Sequence, residues 1–181
     1  MLPQDRNIHR PPHIVFNNTI YFVTARTVDQ APYFDSNSKK NIFCLCLKAG
    51  LLKFQIALYA WVLLNNHYHL LFKIKKGEDL SKFINFLNGK NSFELNKSEN
   101  TIGRKIWYQY WDHCIRDETD FWKYLNYIHQ NPVKHGLCKN LAEAFGYPFS
   151  SAKNWIKMKG EGWLYSCFEK YPVIDYTNGV D

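Results

Sequence analysis

The chain has 181 residues, of which 46% are hydrophobic and 17% aromatic, so one domain with a sizeable core is expected. A net charge of +7 favours a polyanionic partner, most simply nucleic acid. No apolar run approaches the roughly 20 residues that span a bilayer, and residues 1–12 lack the apolar segment of a signal peptide, which argues against a membrane or exported protein and favours the cytoplasm.

The first predicted elements are a strand over residues 20–26 and a helix that follows it. Asp35 or Ser36 can cap this helix by accepting a hydrogen bond from its first backbone N–H groups. The helix is expected to end near Gly50, because glycine commonly follows the last helical turn.

A β-hairpin is predicted next. Two apolar, β-friendly runs occupy residues 57–64 and 70–74, and the pair Asn65-Asn66 between them is a turn signal. The residues just after that turn therefore belong to the start of the second hairpin strand.

Two histidines, His67 and His69, lie in that second strand. Side chains alternate between the two faces of a strand, so both project from the same side with Cα atoms about 6.5 Å apart. That separation lets two imidazoles converge on one metal ion. On a helix the same spacing would send the rings to nearly opposite sides, so the interpretation depends on the strand.

The second half of the chain completes the pattern. A helix is predicted over 79–96, a polar loop over 98–105 and a fourth strand over 108–116. Asp117 can cap a further helix that runs to about residue 130, where an Asn-Pro pair is expected to stop it. This β-α-β-β-α-β order with one added helix predicts an α+β, ferredoxin-like antiparallel sheet.

The region after residue 140 is less regular, with a short helix expected at 150–157 and a frayed tail at 172–181. Five cysteines are scattered along the chain, an odd number without zinc-finger spacing, and we interpret them as reduced thiols: Cys44, Cys46, Cys114, Cys138 and Cys167.

The last predicted helix can supply a partner for the histidines. Four apolar residues share its core face, at helical spacing: Phe121, Tyr124, Leu125 and Ile128. Tyr127 lies about 100° from the centre of that face, on the helix flank, and Asn131 follows one turn later if the helix persists that far.

A phenol and an amide beside a metal-binding hairpin suggest phosphodiester chemistry. The metal would polarise the phosphodiester and the tyrosine oxygen would attack phosphorus to form a covalent phosphotyrosine. Such an ester keeps roughly the energy of the bond it replaces, so no nucleotide cofactor is expected.

Four blocks of sequence resemble the HUH-type single-tyrosine transposases, the IS200-like family with its REP-associated branch. They are residues 21–24, 60–69, 107–116 and 127–137, followed by 147–151. The resemblance spans roughly residues 13–155, and its second and fourth blocks are the specific ones. Leu64 and Asn65 stand where the family usually has Met-Pro, which should alter the turn and spare the ligands, and His135 stands where Ala is common.

The resemblance implies cleavage and rejoining of single-stranded DNA, with Mg²⁺ or Mn²⁺ as cofactor. It matches His67 and His69 to the metal ligands, Tyr127 to the nucleophile that becomes linked to a 5′ phosphate, and Asn131 to a third, amide-type ligand. It also implies a transposase-like catalytic domain over residues 1–140, with residues 141–181 as a packed extension rather than an independent domain.

DNA contacts are harder to assign, because each basic residue can also be an ordinary surface charge. Proximity to the expected site favours Arg116 and Lys134, and the further candidates are Lys73, Lys75, Arg104 and His113. His129, between helix and turn, is expected at the surface.

Three functions remain open on the sequence. The first is a transposase, or a domesticated relative, acting on single-stranded or hairpin-forming DNA, as a monomer or a homodimer. The second is a DNA-binding protein of the same ancestry that does not cleave. The third is an unrelated metal-dependent hydrolase that uses His67 and His69, in which Tyr127 is structural.

Overall fold

A four-stranded antiparallel sheet forms the centre of the protein, seen in a computed structural model that describes residues 15–173. Its strands are β1 (Thr19–Thr27), β2 (Ala57–Leu63), β3 (His67–Ile74) and β4 (Trp107–Cys114). They are arranged in the order β2-β3-β1-β4, which is the ferredoxin-like arrangement. The predicted fold class is confirmed, although β4 begins and ends slightly earlier than the sequence suggested.

Helices cover both faces of the sheet. One face carries α1 (Asn37–Lys53) and α2 (Asp79–Ser98), and the other carries α3 (Glu118–Lys134), α4 (Leu141–Phe145), α5 (Ala152–Lys159) and α6 (Glu161–Lys170). Ser36, not Asp35, caps α1 by accepting from the backbone N–H of Lys39. Gly50 lies inside α1, where a Cβ would come within 2.9 Å of the Phe83 ring on α2.

Alternation along β3 decides which side chains face α3. Tyr68, Leu70 and Phe72 point to the core under α1 and α2, whereas Leu71 packs in the core under α3. His67 and His69 have the same parity as Leu71, so both histidines face α3, as the strand pattern predicted.

The prediction that α3 stops at the Asn-Pro pair is wrong. Pro132 lies inside the helix, which continues to Lys134. Proline removes one N–H and disfavours a helical conformation at the residue before it, but Asn131 is 1% exposed and held against the sheet. Tertiary packing therefore outweighs the local preference, and the helix closes with a bond from the N–H of His135 to the carbonyl of Asn131.

The region after residue 140 is more regular than expected, because it forms α4, α5 and α6. Asn126 of α3 donates from Nδ2 to the carbonyls of Cys167 and Tyr171, at 2.9 and 2.8 Å, which fixes α6 against α3. The Trp155 indole of α5 donates to the Tyr59 carbonyl at 2.8 Å, which fixes α5 to the edge strand β2. Most of the predicted frayed tail lies outside the described residues.

The five cysteines are all free thiols, as predicted. Among residues 15–173, no helix is both long and apolar enough to cross a bilayer.

Candidate metal and tyrosine site

The two histidines meet beneath α3. His67 is 4% exposed and His69 is fully buried, and their ring centroids lie 4.9 Å apart at an interplanar angle of 75°. The i,i+2 spacing on β3 therefore brings both imidazoles together.

Neighbouring oxygens orient both rings. Nδ1 of His67 lies 2.7 Å from Oδ1 of Asn66, and Nδ1 of His69 lies 2.6 Å from Oγ1 of Thr24 on the adjacent strand. An amide oxygen only accepts, so Nδ1 of His67 donates to it, and Nε2 is then the nitrogen that could bind a metal. Metal-binding histidines commonly have their other ring nitrogen held in this way.

Asn131 on α3 brings a third possible ligand close to the histidines. Its Oδ1 lies 3.2 Å from Nε2 of His67, and its Nδ2 is buried without a hydrogen bond to any other described residue. When Nδ1 of His67 carries the only proton of the ring, Nε2 and the amide oxygen both present lone pairs, and a cation between them would satisfy both. The amide oxygen suits Mg²⁺ or Mn²⁺, and imidazole nitrogens are more usual ligands of transition metals.

The candidate ligand set includes an amide. Among the described residues, no group of three or more His, Cys, Asp or Glu side chains could hold a metal ion. A third protein ligand beside the two histidines would therefore be another type of side chain, such as the amide of Asn131.

Tyr127 lies directly against the histidine pair. Its ring centroid is 5.1 Å from that of His69 and 5.8 Å from that of Phe22, and the side chain is only 2% exposed. The sequence placed it on the helix flank, outside the core face, but the sheet surface at Phe22 and His69 extends under that flank and buries it. Nζ of Lys134 donates to the phenol oxygen at 3.5 Å.

An open cavity of about 200 Å³ gives access to the tyrosine. It is lined by Tyr127, Gln130, Asn131, Lys134 and Val173. A ligand that enters it reaches the phenol of Tyr127, the amide of Asn131 and the ammonium group of Lys134 together. Gln130 was not singled out in the sequence, where it carries no signal beyond its place in the fourth block.

His135 is a second residue to which the sequence assigned no role. Its exposed ring packs edge-on against that of His67, with centroids 4.6 Å apart. It comes within reach because α3 continues past Pro132, which the sequence did not predict.

Two further candidates, His113 and Arg116, lie at the other end of α3. Both contact the carboxylate of Asp120, His113 through Nε2 at 3.1 Å and Arg116 through Nε at 2.9 Å. The Arg116 guanidinium, together with His113 and the Arg116 backbone N–H, holds the pKa of Asp120 well below its usual value. These side chains tie the end of β4 to the start of α3.

The remaining basic candidates lie apart from the tyrosine. Lys73 and Lys75 are exposed near and beyond the distal end of β3, roughly 20 Å or more along the chain from His67. Arg104 lies in the loop between α2 and β4, where it pairs with Glu99 and stacks on Tyr33.

The prediction of a surface position for His129 is wrong. The ring is fully buried, and its Nε2 lies 2.8 Å from Oγ of Ser151. Burial away from water lowers the pKa of His129 to about 3, so it is neutral in the folded protein.

A buried lysine fixes the turn before the histidines. Nζ of Lys40 donates to Oδ1 of Asn65 at 2.8 Å and to the hydroxyl of Tyr147 at 3.0 Å. The Tyr147 hydroxyl donates in turn to the carbonyl of Leu63 at 3.0 Å. The turn thus has its own side-chain support at the position where the family usually has proline.

Comparison with known proteins bears on the family and the fold. The chain is 30% identical over 93 residues to the REP-associated tyrosine transposase of Escherichia coli K12, covering 51% of this chain and 52% of that protein. It is also 30% identical over 105 residues to a protein of Haemophilus influenzae that carries a provisional form of the same name, covering 52% and 58%. The chain thus matches only about half the length of these curated relatives.

The fold matches that of a solved REP-associated tyrosine transposase bound to a REP hairpin, with a TM-score of 0.69 and 20% identity over 82% of this chain and 85% of that one. The sequence profile described as "Transposase IS200 like" matches residues 15–131. Because that match covers more than half of the 181 residues, the chain belongs to the IS200-like transposase family.

Proposed function

We propose that the protein cleaves and rejoins single-stranded DNA beside a hairpin, with Mg²⁺ or Mn²⁺ as cofactor and a 5′-phosphotyrosine intermediate. The observation that carries the proposal is the convergence of Tyr127, His67, His69 and Asn131 within one chain. Residues 1–140 would form the catalytic domain, and residues 141–181 would support α3.

The proposed cleavage forms one bond to phosphorus and breaks another. The oxygen of Tyr127 attacks the scissile phosphorus, a new bond forms between them, and the bond from phosphorus to the 3′ oxygen breaks. The phenol proton leaves the nucleophile, and the departing 3′ oxygen ends as a hydroxyl. Rejoining runs the same exchange backwards with a 3′ hydroxyl as nucleophile, so no nucleotide cofactor is consumed.

Each side chain has a separate part in this scheme. His67, His69 and Asn131 would hold the metal, which when bound withdraws electron density from the phosphate oxygens. Lys134 places a positive charge 3.5 Å from the phenol oxygen, where it favours the developing phenolate. Packing against His69 and Phe22 fixes the direction from which the oxygen attacks.

A hairpin is the proposed form of the DNA partner. The net charge of +7 suits a polyanion, and the solved structure with the same fold is described as bound to a REP hairpin. Phosphates that line up with Lys134 would enter through the cavity beside Tyr127.

The test is adduct formation on a denaturing gel, with Mn²⁺ and a labelled single-stranded hairpin oligonucleotide. We expect a covalent protein–DNA band that disappears in Tyr127→Phe and in His69→Ala, while hairpin binding is largely kept. Tyr165→Phe is the matched control, because this tyrosine packs on Phe145 in the C-terminal helices. An adduct that persists in Tyr127→Phe would disprove the assigned nucleophile.

The same gel, run beside a native gel that reports non-covalent binding, separates the two alternatives. Binding without an adduct under any metal would identify a DNA-binding protein that does not cleave. Cleavage without an adduct, unchanged in Tyr127→Phe, would identify a metal-dependent hydrolase. The orientation of Tyr127 onto the histidine pair favours the tyrosine mechanism over both.

A further inference from the structure

A group of aromatic and basic side chains lies beside the candidate site, on the same face of the sheet. We call it the aromatic–basic patch and define it as Arg26, Lys105, Tyr108 and Trp111. The guanidinium of Arg26 lies 4.9 Å from the ring centroid of Trp111 and 5.4 Å from that of Tyr108. Nζ of Lys105 lies 5.6 Å from the same Tyr108 centroid, so two different cations lie close to that ring.

An irregularity in the β1–β4 pairing brings these side chains together. Ala25 pairs with Tyr110, but Thr27 pairs with Trp107, so β4 has one extra residue at this point. Such a bulge changes which face the following side chains occupy. Tyr108 and Trp111, which simple alternation would place on opposite faces, therefore both meet Arg26.

The patch is continuous with the histidine pair. Arg26 is directly opposite His67 in the β1–β3 register, and Trp111 is opposite Thr24, which is opposite His69. Neighbouring strands are about 4.8 Å apart, so Trp111 lies about 10 Å across the sheet from His69. A rise of about 3.4 Å per nucleotide along a stacked strand makes this distance about three nucleotides.

Neither patch ring serves the hydrophobic core. Tyr108 and Trp111 belong to neither of the two core clusters nor to the side chains packed against them, and Tyr108 is 40% exposed. Accessible aromatic faces beside cations match the chemistry of unpaired nucleic acid, in which bases stack and phosphates need neutralising.

We infer that the aromatic–basic patch binds unpaired bases of the strand that enters the site, an inference that rests on the proposed function. Bases stack on Trp111 and Tyr108, while Arg26 and Lys105 neutralise adjacent phosphates. The patch thus recognises the single-stranded flank of the hairpin rather than its duplex stem, whose bases are paired and stacked on one another.

Binding of two sets of labelled oligonucleotides tests the inference, in EDTA so that cleavage plays no part. One set is a blunt hairpin, and the other carries a short unpaired flank on its 5′ or its 3′ side. For the unaltered protein we expect one flanked hairpin to bind more tightly than the blunt one. Trp111→Leu should lower that gain by about 5- to 150-fold, the range for stacking one base, and leave blunt-hairpin affinity unchanged.

Matched variants make the result specific. Trp163→Leu removes a partly exposed indole from the C-terminal helices and should leave the gain intact. Trp111→Phe keeps a stacking ring and should retain most of it, which distinguishes lost stacking from misfolding. Arg26→Gln should reduce the dependence of log affinity on log salt by about 0.7 for the flanked hairpin only.

The outcomes distinguish the patch from the function on which it rests. A flank that adds no affinity, or a gain unchanged in Trp111→Leu, overturns the patch while leaving adduct formation unaffected. If the protein binds neither oligonucleotide, the patch and the proposed function are both overturned.

Discussion

The hydroxyl of Thr24 controls the direction of one candidate ligand. It lies 2.6 Å from Nδ1 of His69, and both groups are buried. We predict that Thr24→Val, which keeps the shape but removes this bond, weakens Mn²⁺ binding about 10- to 100-fold, the usual effect of losing such a partner. Isothermal titration of Mn²⁺ into the protein measures it.

The control for this prediction lies on the same strand. Thr19→Val removes a hydroxyl that donates to the Asn17 carbonyl at the distal end of β1, and it should leave Mn²⁺ affinity unchanged. Equal losses in the two variants would show that Thr24 has no special role in orienting His69.

His129 links the stability of the protein to pH. Its pKa is about 3 in the folded protein and about 6.5 when unfolded, so the unfolded chain binds the extra proton between these values. The folding free energy contributed by neutral His129 is complete above pH 6.5 and decreases as pH falls. Between pH 6.5 and 5 this loss amounts to about 2 kcal/mol.

The variant His129→Gln isolates that contribution. Glutamine can still hydrogen-bond Ser151 but does not titrate, so its unfolding free energy should fall less between pH 7 and 5 than that of the unaltered protein. Urea denaturation at both pH values measures the difference. Parallel pH dependence in the two proteins would show that His129 does not titrate as inferred.

At the scale of elements, α3 depends on the carboxylate at its start. Asp120 is 7% exposed and accepts from the Arg116 backbone N–H at 3.3 Å and from its guanidinium. We predict that Asp120→Asn destabilises the protein at pH 7 by on the order of 1–3 kcal/mol, the worth of buried hydrogen bonds to a charge. Glu118→Gln, at an exposed position in the same turn, should have almost no effect.

The stabilisation that Asp120 contributes decreases at acid pH. Because the pKa of Asp120 is lowered by folding, its stabilisation is complete above the unfolded value of about 3.9 and is lost as pH falls through the folded value. The difference between Asp120→Asn and the unaltered protein should therefore shrink below pH 4, as chemical denaturation would show. A difference that grows in acid would contradict the assigned interaction.

Local patterns predicted the elements that carry the site better than they predicted the site's surroundings. Strand alternation was enough to place His67 and His69 on one face, and helical spacing placed Asn131 one turn after Tyr127. The extension of α3 past Pro132 was missed, because packing of Asn131 against the sheet is a tertiary effect that no local preference contains.

Sequence periodicity does not identify the residues that hold the candidate site in place. Ser151, the partner of His129, comes from a separate segment 22 residues later, and Thr24, the partner of His69, is 45 residues earlier. Serine and threonine have no pattern that marks them as such partners. Only the register between strands, and the return of the chain to edge strand β2, bring these pairs together.

At the scale of the whole molecule, one chain supplies every candidate catalytic group. We therefore predict that a mixture of Tyr127→Phe and His69→Ala proteins forms no adduct with hairpin DNA, at any protein concentration. If two copies exchanged α3, a mixed dimer would contain one intact site and restore the adduct. The denaturing gel, run over a range of protein concentrations, distinguishes these results.

The contact between His67 and Asn131 joins residues 64 positions apart, on opposite sides of the interface between sheet and helix. A chain that has lost α3 by proteolysis, or in which α3 has not yet packed on the sheet, keeps both histidines on β3 without Tyr127 and Asn131 beside them. Under the proposed mechanism, the ability to break DNA is therefore a property of the intact fold alone. Damaged or nascent copies of the protein would pose no risk to the genome that encodes it.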